Sequence, residues 1–282
     1  MSSLDLNAYL NRIGFEGPLT PSLETLRALH FAHATHIPFE NLDVLLGRGI
    51  RLDLDSIFQK LVLDRRGGYC FEQNTLFAAV LQELGFAVTK LAARVQMGSS
   101  EPRPRTHMLL RVDLREGSYI ADVGFGGEGL LHPLPFRQDG DSEAYEVSGW
   151  RMRIVAQGQH YTLQSSRPDG WFDLYRFMLE PQAHIDYEVA NHYTATHPES
   201  RFMLNLVAQL PGETRLVLVN RNFQEITPAG VQEVRIADET MLLEVLQERF
   251  GLRIPVGSGL MEIVDRLESR SAGSWPLRSA SR

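Results

Sequence analysis

In Arg65-Arg66-Gly67-Gly68-Tyr69-Cys70-Phe71-Glu72-Gln73-Asn74 a glycine pair closes one segment and a cysteine opens the next. From Cys70 to Leu84 the apolar residues Leu76, Phe77 and Val80 keep a 3.6-residue period, and Gly85 stops it, so the spacing predicts a helix that begins at the cysteine. A thiol there sits beside the unpaired N–H groups of a first helical turn. Their partial positive charge, with a nearby imidazolium, favours the thiolate, the nucleophilic form. Gly67 and Gly68 can adopt backbone angles barred to other residues and let an acyl donor approach the sulfur. The first-turn amides are a candidate oxyanion hole. A lone cysteine is ordinarily a small buried hydrophobe, but this setting, close to Arg66, Glu72 and Gln73, suits a reactive thiol better than core filling.

Upstream of that stretch the chain is written in helices. Leu6, Tyr9, Leu10 and Ile13 predict one helix, capped by Gly14. Thr20 is read as the N-cap of a second, with Pro21 at its first position, Leu23, Leu26 and Leu29 on its stripe and Pro38 at its end. Asp53 or Asp55 caps a third, carrying Ile57, Phe58, Leu61 and Val62.

Downstream, from Phe86, the pattern changes to short β-rich runs: Ala87 to Val95, His107 to Leu114, Tyr119 to Val123, Arg151 to Ala156 and Tyr161 to Gln164. An antiparallel sheet or barrel is expected. The last third mixes types, with helices at Asp186 to Thr194, Glu239 to Phe250 and Leu260 to Leu267, and strands at Phe202 to Ala208, Leu216 to Asn220 and Val231 to Ile236. Gly98 to Arg105 and Arg137 to Ala144 read as loops, and the Ser- and Arg-rich tail Ser269 to Arg282 as frayed.

Bulk composition narrows the function. With 282 residues, 43% of them hydrophobic, the chain buries a sizeable core. Its 28 Lys and Arg against 35 Asp and Glu give a net charge of -7, which argues against nucleic acid as a partner. One cysteine makes no internal disulfide, and Met1-Ser2-Ser3-Leu4-Asp5-Leu6-Asn7 has neither a basic leader nor an apolar signal core, so a cytoplasmic location is expected. No run reaches the roughly 18 to 20 apolar residues that cross a bilayer, so no membrane partner is expected.

A nucleophilic cysteine needs a base. Of the nine histidines, His107 in Arg105-Thr106-His107-Met108 stands at the head of a predicted strand. The next strand, Tyr119-Ile120-Ala121-Asp122-Val123-Gly124, sets a carboxylate among apolar neighbours, where an unpaired charge is costly. A turn at Glu116-Gly117 brings His107 and Asp122 side by side, the Asp fixing the imidazole tautomer. Alone, Asp122 also reads as a strand end bonded to the following turn. His30, His33 and His36 imitate a metal-binding face, and His192 and His197 flank a polar segment; structural or solvent-exposed roles are expected for all five and no metal is expected. Gly124-Phe125-Gly126-Gly127-Glu128-Gly129 imitates a dinucleotide loop, but Leu130-Leu131-His132-Pro133 opens no helix behind it, so it reads as a bare backbone turn beside Asp122.

Arg66 to Asn74 resembles the nucleophile motif of the arylamine N-acetyltransferases. Pro38-Phe39-Glu40-Asn41, Thr106-His107-Met108 and Asp122-Val123-Gly124-Phe125-Gly126 are similar to that family's other blocks, in the same order. The resemblance implies an α+β chain of three parts: an N-terminal helical bundle (1–85), a central antiparallel β-barrel (86–200) and a C-terminal α/β lid (201–282), around a papain-like core with Cys70, His107 and Asp122 as catalytic triad. It also implies ping-pong transfer from acetyl-coenzyme A, through a thioester on Cys70, to an arylamine or hydrazine. The acceptor pocket then falls on Phe39 and Phe125 and, on a shorter match, on Val95 and Phe202. For the coenzyme, Arg103, Arg105 and Thr106 stand ready for phosphate contacts, while Gly126 and Gly127 let the pantetheine arm pass close to the backbone.

The residues alone leave two rivals. A papain-like hydrolase or transglutaminase uses the same Cys, His and carboxylate order with a peptide amide as substrate. A non-catalytic ligand-binding protein keeps the same three residues as a structural polar network.

Overall fold

The computed structural model describes residues 4–254 and 257–269. The tail expected to fray lies outside the described residues except for Ser269, which ends the last helix.

The first elements are α1 (Leu6–Ile13), α2 (Leu23–His36), the two-residue strand β1 (Phe39–Glu40), α3 (Leu42–Leu45), α4 (Leu54–Phe58) and α5 (Cys70–Glu83). Gly14 closes α1 in the left-handed conformation, φ 63°, as its lack of a side chain allows. The start of α2 differs from expectation. Ser22, not Thr20, is the N-cap, because its hydroxyl accepts the Thr25 N–H at 3.2 Å while Pro21 stays outside the helix. Asp53 caps α4 through the Ser56 N–H, and the next turn, Gln59–Leu63, widens to π-helical geometry.

Eight strands follow or interleave: β2 (Ala87–Val95), β3 (Arg105–Leu114), β4 (Gly117–Ala121), β5 (Leu134–Phe136), β6 (Tyr145–Val147), β7 (Trp150–Gln157), β8 (His160–Arg167) and β9 (Gly170–Phe177). They form one antiparallel sheet in the order β5-β4-β3-β2-β9-β8-β7-β6, nearly closed into a barrel, with β5 coming round to meet β7. Side chains alternate across a strand, and β3 uses both faces. Met108, Leu110 and Val112 join Phe71, Phe77 and Val80 in the helical core, while Leu109 joins Leu91, Leu163 and Tyr175 inside the barrel. His107 is in phase with Leu109 and so shares the barrel side. The expected strand through Val123 ends at Ala121, and β5, β6 and β9 were not anticipated.

The remaining elements are α6 (His184–Thr196), α7 (Arg201–Leu204), β10 (Val207–Leu210), β11 (Arg215–Val219), β12 (Asn222–Thr227), β13 (Gly230–Arg235), α8 (Glu239–Glu244) and α9 (Leu260–Ser269). The segment expected to be a strand from Phe202 to Ala208 is split. Its first part is the helical turn α7, started by the Ser200 hydroxyl and stopped at Asn205, because the Asn41 amide binds the carbonyls of Phe202 and Asn205, each at 2.7 Å. The helix expected over 239–250 likewise finishes as a π-helical turn, Val245–Arg249. β10 to β13 form a second antiparallel sheet in order β1-β10-β11-β12-β13, so two residues from the helical part complete its edge. Leu218 and Phe223 on one face pack with Leu242, Leu246 and Val264, and Gln209 and Val217 on the other turn towards the barrel. No helix among the described residues is long and apolar enough to cross a membrane.

Candidate active site

Cys70 is the first residue of α5, and the turn before it is held from several sides. The Gln73 side chain donates to the carbonyls of Pro38 (2.9 Å), Ile37 (3.1 Å) and Gly68 (3.3 Å), and its oxygen accepts from His33 Nε2 at 2.7 Å. Glu72 turns back to accept the Tyr69 N–H at 3.0 Å. Gly68 is glycine for a steric reason: a Cβ there would stand 2.7 Å from a Glu72 carboxylate oxygen. Beneath lies a buried charge network in which Lys60 bridges Glu72 (2.7 Å) and Asp43 (2.9 Å), and Arg66 bridges Glu40 (2.7 Å) and Asp43 (3.2 Å). Burial opposes the charge on Lys60, yet Glu72, Glu40 and Asp43 together raise its pKa. The network pins the Arg66-Gly67-Gly68 turn to the helix it precedes.

The Cys70 thiol donates to the Thr106 carbonyl at 3.5 Å, which draws it to the head of β3. There His107 presents Nε2 to Asp122 Oδ2 at 2.7 Å, both side chains buried. Nδ1 is the ring nitrogen left for the thiol. Burial disfavours a charged imidazole, but the charge of Asp122, its hydrogen bond and a hydrogen bond to Cys70 outweigh it and raise the His107 pKa to about 10. For Asp122 burial pushes the carboxyl up, and His107, Asn74 and the Gly124 N–H override it, holding it below its ordinary value. The ring is packed as well as bonded: Tyr175 and Phe125 lie 4.8 and 5.2 Å from it, centroid to centroid.

Asp122 is just beyond the end of β4, and three groups set its position. Asn74 donates to Oδ1 at 3.0 Å, the Gly124 N–H donates to the same oxygen at 3.0 Å, and the Asp122 N–H is received by His30 Nε2 at 3.1 Å. His30 Nδ1 donates to the Leu131 carbonyl at 3.1 Å, which fixes the neutral tautomer; burial lowers its pKa to about 4. His33 is neutral for the same reason, at about 3, with Nδ1 accepting from Tyr9. Two of the three histidines on α2 that imitate metal ligands, His30 and His33, are thus hydrogen-bonding supports, and among the described residues no three His, Cys, Asp or Glu gather to hold an ion.

A cavity of about 270 Å³ opens over Cys70 and His107. The structure brings Phe39, Val95, Phe125 and Phe202 to its walls, together with Arg103, Thr106 and Gly127. Asp122 stands behind His107, outside the lining. Arg105 is turned away: it is exposed and paired with Glu180 at 3.1 Å. Gly126 supports the wall from behind, where a Cβ would lie 3.4 Å from the Phe39 ring.

Several site residues escaped the sequence reading. Asn74 stands in the quoted motif but only the fold shows its bond to Asp122. Tyr175 is on β9, whose run Trp171-Phe172-Asp173-Leu174-Tyr175 carried a strand signal in its aromatics. Gln209 lies one residue past the end of the expected strand and carried no signal.

Comparison with known proteins agrees with this architecture. Residues 22–258 match the family model described as N-acetyltransferase. An arylamine N-acetyltransferase of Escherichia coli strain K12 is 42% identical over 254 residues, 88% of this chain and 89% of that protein. The solved arylamine N-acetyltransferase of Salmonella typhimurium superposes with a TM-score of 0.87 at 36% identity, covering 94% of this chain and 99% of that one. That of Mycobacterium marinum, solved in complex with CoA, superposes with a TM-score of 0.84 at 33% identity, covering 94% and 98%. The chain belongs to the arylamine N-acetyltransferases, a family of acyltransferases.

Proposed function

We propose that this protein N-acetylates arylamines and arylhydrazines from acetyl-coenzyme A by a ping-pong mechanism through an acetyl thioester on Cys70. The observation that carries the reading is the chain of contacts from the Cys70 thiol to His107 and on to Asp122, 2.7 Å away, at the floor of an apolar cavity.

The residues divide the work as follows. Cys70, as thiolate beside the His107 imidazolium, attacks the acetyl carbonyl, and unpaired N–H groups of the first turn of α5 receive the developing oxyanion. A carbon–sulfur bond forms to Cys70, the one to coenzyme A breaks, and the leaving thiolate takes the proton of His107. The amine then attacks the thioester, its proton passes to the now neutral His107, and the Cys70 thiolate leaves. Asp122 holds the ring in one orientation and stabilises its charged form in both half-reactions. Phe39, Val95, Phe125 and Phe202 offer the flat apolar surface an aryl ring needs. Arg103 and Thr106 at the mouth, with Gly127, are assigned to coenzyme A, while Gly126 backs the wall behind them, a reading supported by the relative solved in complex with CoA. In this scheme residues 1–85 supply the nucleophile, 86–200 the base and its carboxylate, and the described residues from 201 onward the covering lid.

Thiol release tests the order of events. Mixing the protein with acetyl-coenzyme A alone is expected to free a burst of coenzyme A stoichiometric with protein, with steady turnover only after an arylamine is added. Release that requires both substrates together from the start would contradict a ping-pong scheme.

A further inference from the structure

The wall of the cavity opposite the barrel is a row of directly paired residues. Phe39 on β1 faces Gln209 on β10, Gln209 faces Val217 on β11, and Val217 faces Gln224 on β12. Cross-strand partners share a face, and all four line the cavity that holds Cys70. A carboxamide in the middle of such a row, only 7% exposed, is costly to bury unless its polar atoms are satisfied. Half of it is: Gln209 Oε1 accepts the Gly127 N–H at 2.9 Å. That contact is built tightly, since a Cβ on Gly126, where φ is +90°, would stand 2.1 Å from the same oxygen. With the oxygen anchored, the amide cannot flip. Nε2 makes no hydrogen bond to any described residue, and it is not sealed from the cavity. Its two N–H donors therefore face the space a ligand fills, next to the Phe39 ring.

We propose that Gln209 is a specificity-determining residue: its fixed carboxamide donates to a hydrogen-bond acceptor atom, such as a carbonyl, sulfonyl or carboxylate oxygen, carried on the ring of the amine substrate. The inference rests on the arylamine acetylation proposed above. It selects, within that class, rings substituted with an oxygen acceptor over isosteric hydrocarbon-substituted ones.

The test compares two neutral amines of similar shape, 4-aminoacetophenone and 4-isopropylaniline, by kcat/KM with acetyl-coenzyme A. The ratio of the two constants is measured in the wild type, in Gln209→Met, which has no donor, and in Gln209→Glu, which keeps an oxygen for Gly127 but loses the donors. Disturbance of the Gly126-Gly127 loop affects both amines alike and cancels in the ratio. The ketone preference is expected to fall about fivefold in both variants, the worth of one neutral hydrogen bond. A ratio within about twofold of the wild type's in both variants would overturn the assignment. Wild-type turnover of 4-isopropylaniline, which offers Gln209 nothing, reads the parent function separately.

Discussion

Asn74 and Asp122 are joined through both ends of the asparagine amide: Nδ2 donates to Asp122 Oδ1 at 3.0 Å, and Oδ1 accepts the N–H of the next residue, Val123, at 3.2 Å. The same Nδ2 also donates to the Met108 carbonyl at 2.8 Å. One side chain of α5, a turn after Cys70, thus ties together the strand of His107 and the residue that orients it. The spacing of Cys70 and His107 is set within a single helix turn.

Replacing Asn74 with Leu leaves a buried carboxylate oxygen and the Val123 N–H short of partners. The expected cost is about 2–3 kcal/mol of stability, measured by urea unfolding, together with a fall in acetyl transfer. A Leu variant as stable as the wild type would show that the bridge does not hold the site.

The titration of three buried histidines is expected to give stability a maximum near neutrality. His107 has its pKa raised, so its contribution is complete below its ordinary value of about 6.5 and is lost as pH rises through about 10. His30 and His33 have theirs lowered to about 4 and about 3, so the unfolded chain binds more protons than the folded one below about pH 6.5 and stability falls as pH falls. Thermal melting from pH 4 to pH 10 is expected to show both limbs. Asp122→Asn should flatten the alkaline limb and His30→Gln the acid one.

Gly124 is expected to tolerate no side chain, because a Cβ there would be 2.7 Å from Cys70 Cα and from Asn74 Nδ2. The helix backbone cannot yield as a flexible side chain would. Gly124→Ala should push the nucleophile from His107 and cost on the order of 10²-fold in rate with the fold retained, as judged by circular dichroism and single-turnover thiol release. Unchanged turnover would show that the approach of this loop to α5 is looser than it stands here.

Much of this was legible in the sequence. Helix α5 and the position of Cys70 at its start followed from a glycine pair and a 3.6-residue period, both local signals. β2 matched its expected bounds because alternation and flanking turns agree there. His107 and Asp122 could be paired because a single hairpin joins them. What was hidden depends on contacts distant in sequence. Whether Phe202 lies in a helix or a strand is decided by Asn41, which stands 161 positions earlier. A structural role was expected for His30, but its partners, the Asp122 N–H and the Leu131 carbonyl at its two nitrogens, lie 92 and 101 positions away. Gln209 gains meaning only when β1 pairs with β10 and sets it beside Phe39.

The claim that Cys70 carries the acetyl group is tested most directly by mass spectrometry of the protein after incubation with acetyl-coenzyme A and no amine. The account predicts one added acetyl group per chain, mapped to the peptide containing Cys70 and removed when an arylamine is supplied. A protein that turns over amine yet bears no acetyl group on Cys70, or bears it on another residue, would contradict it.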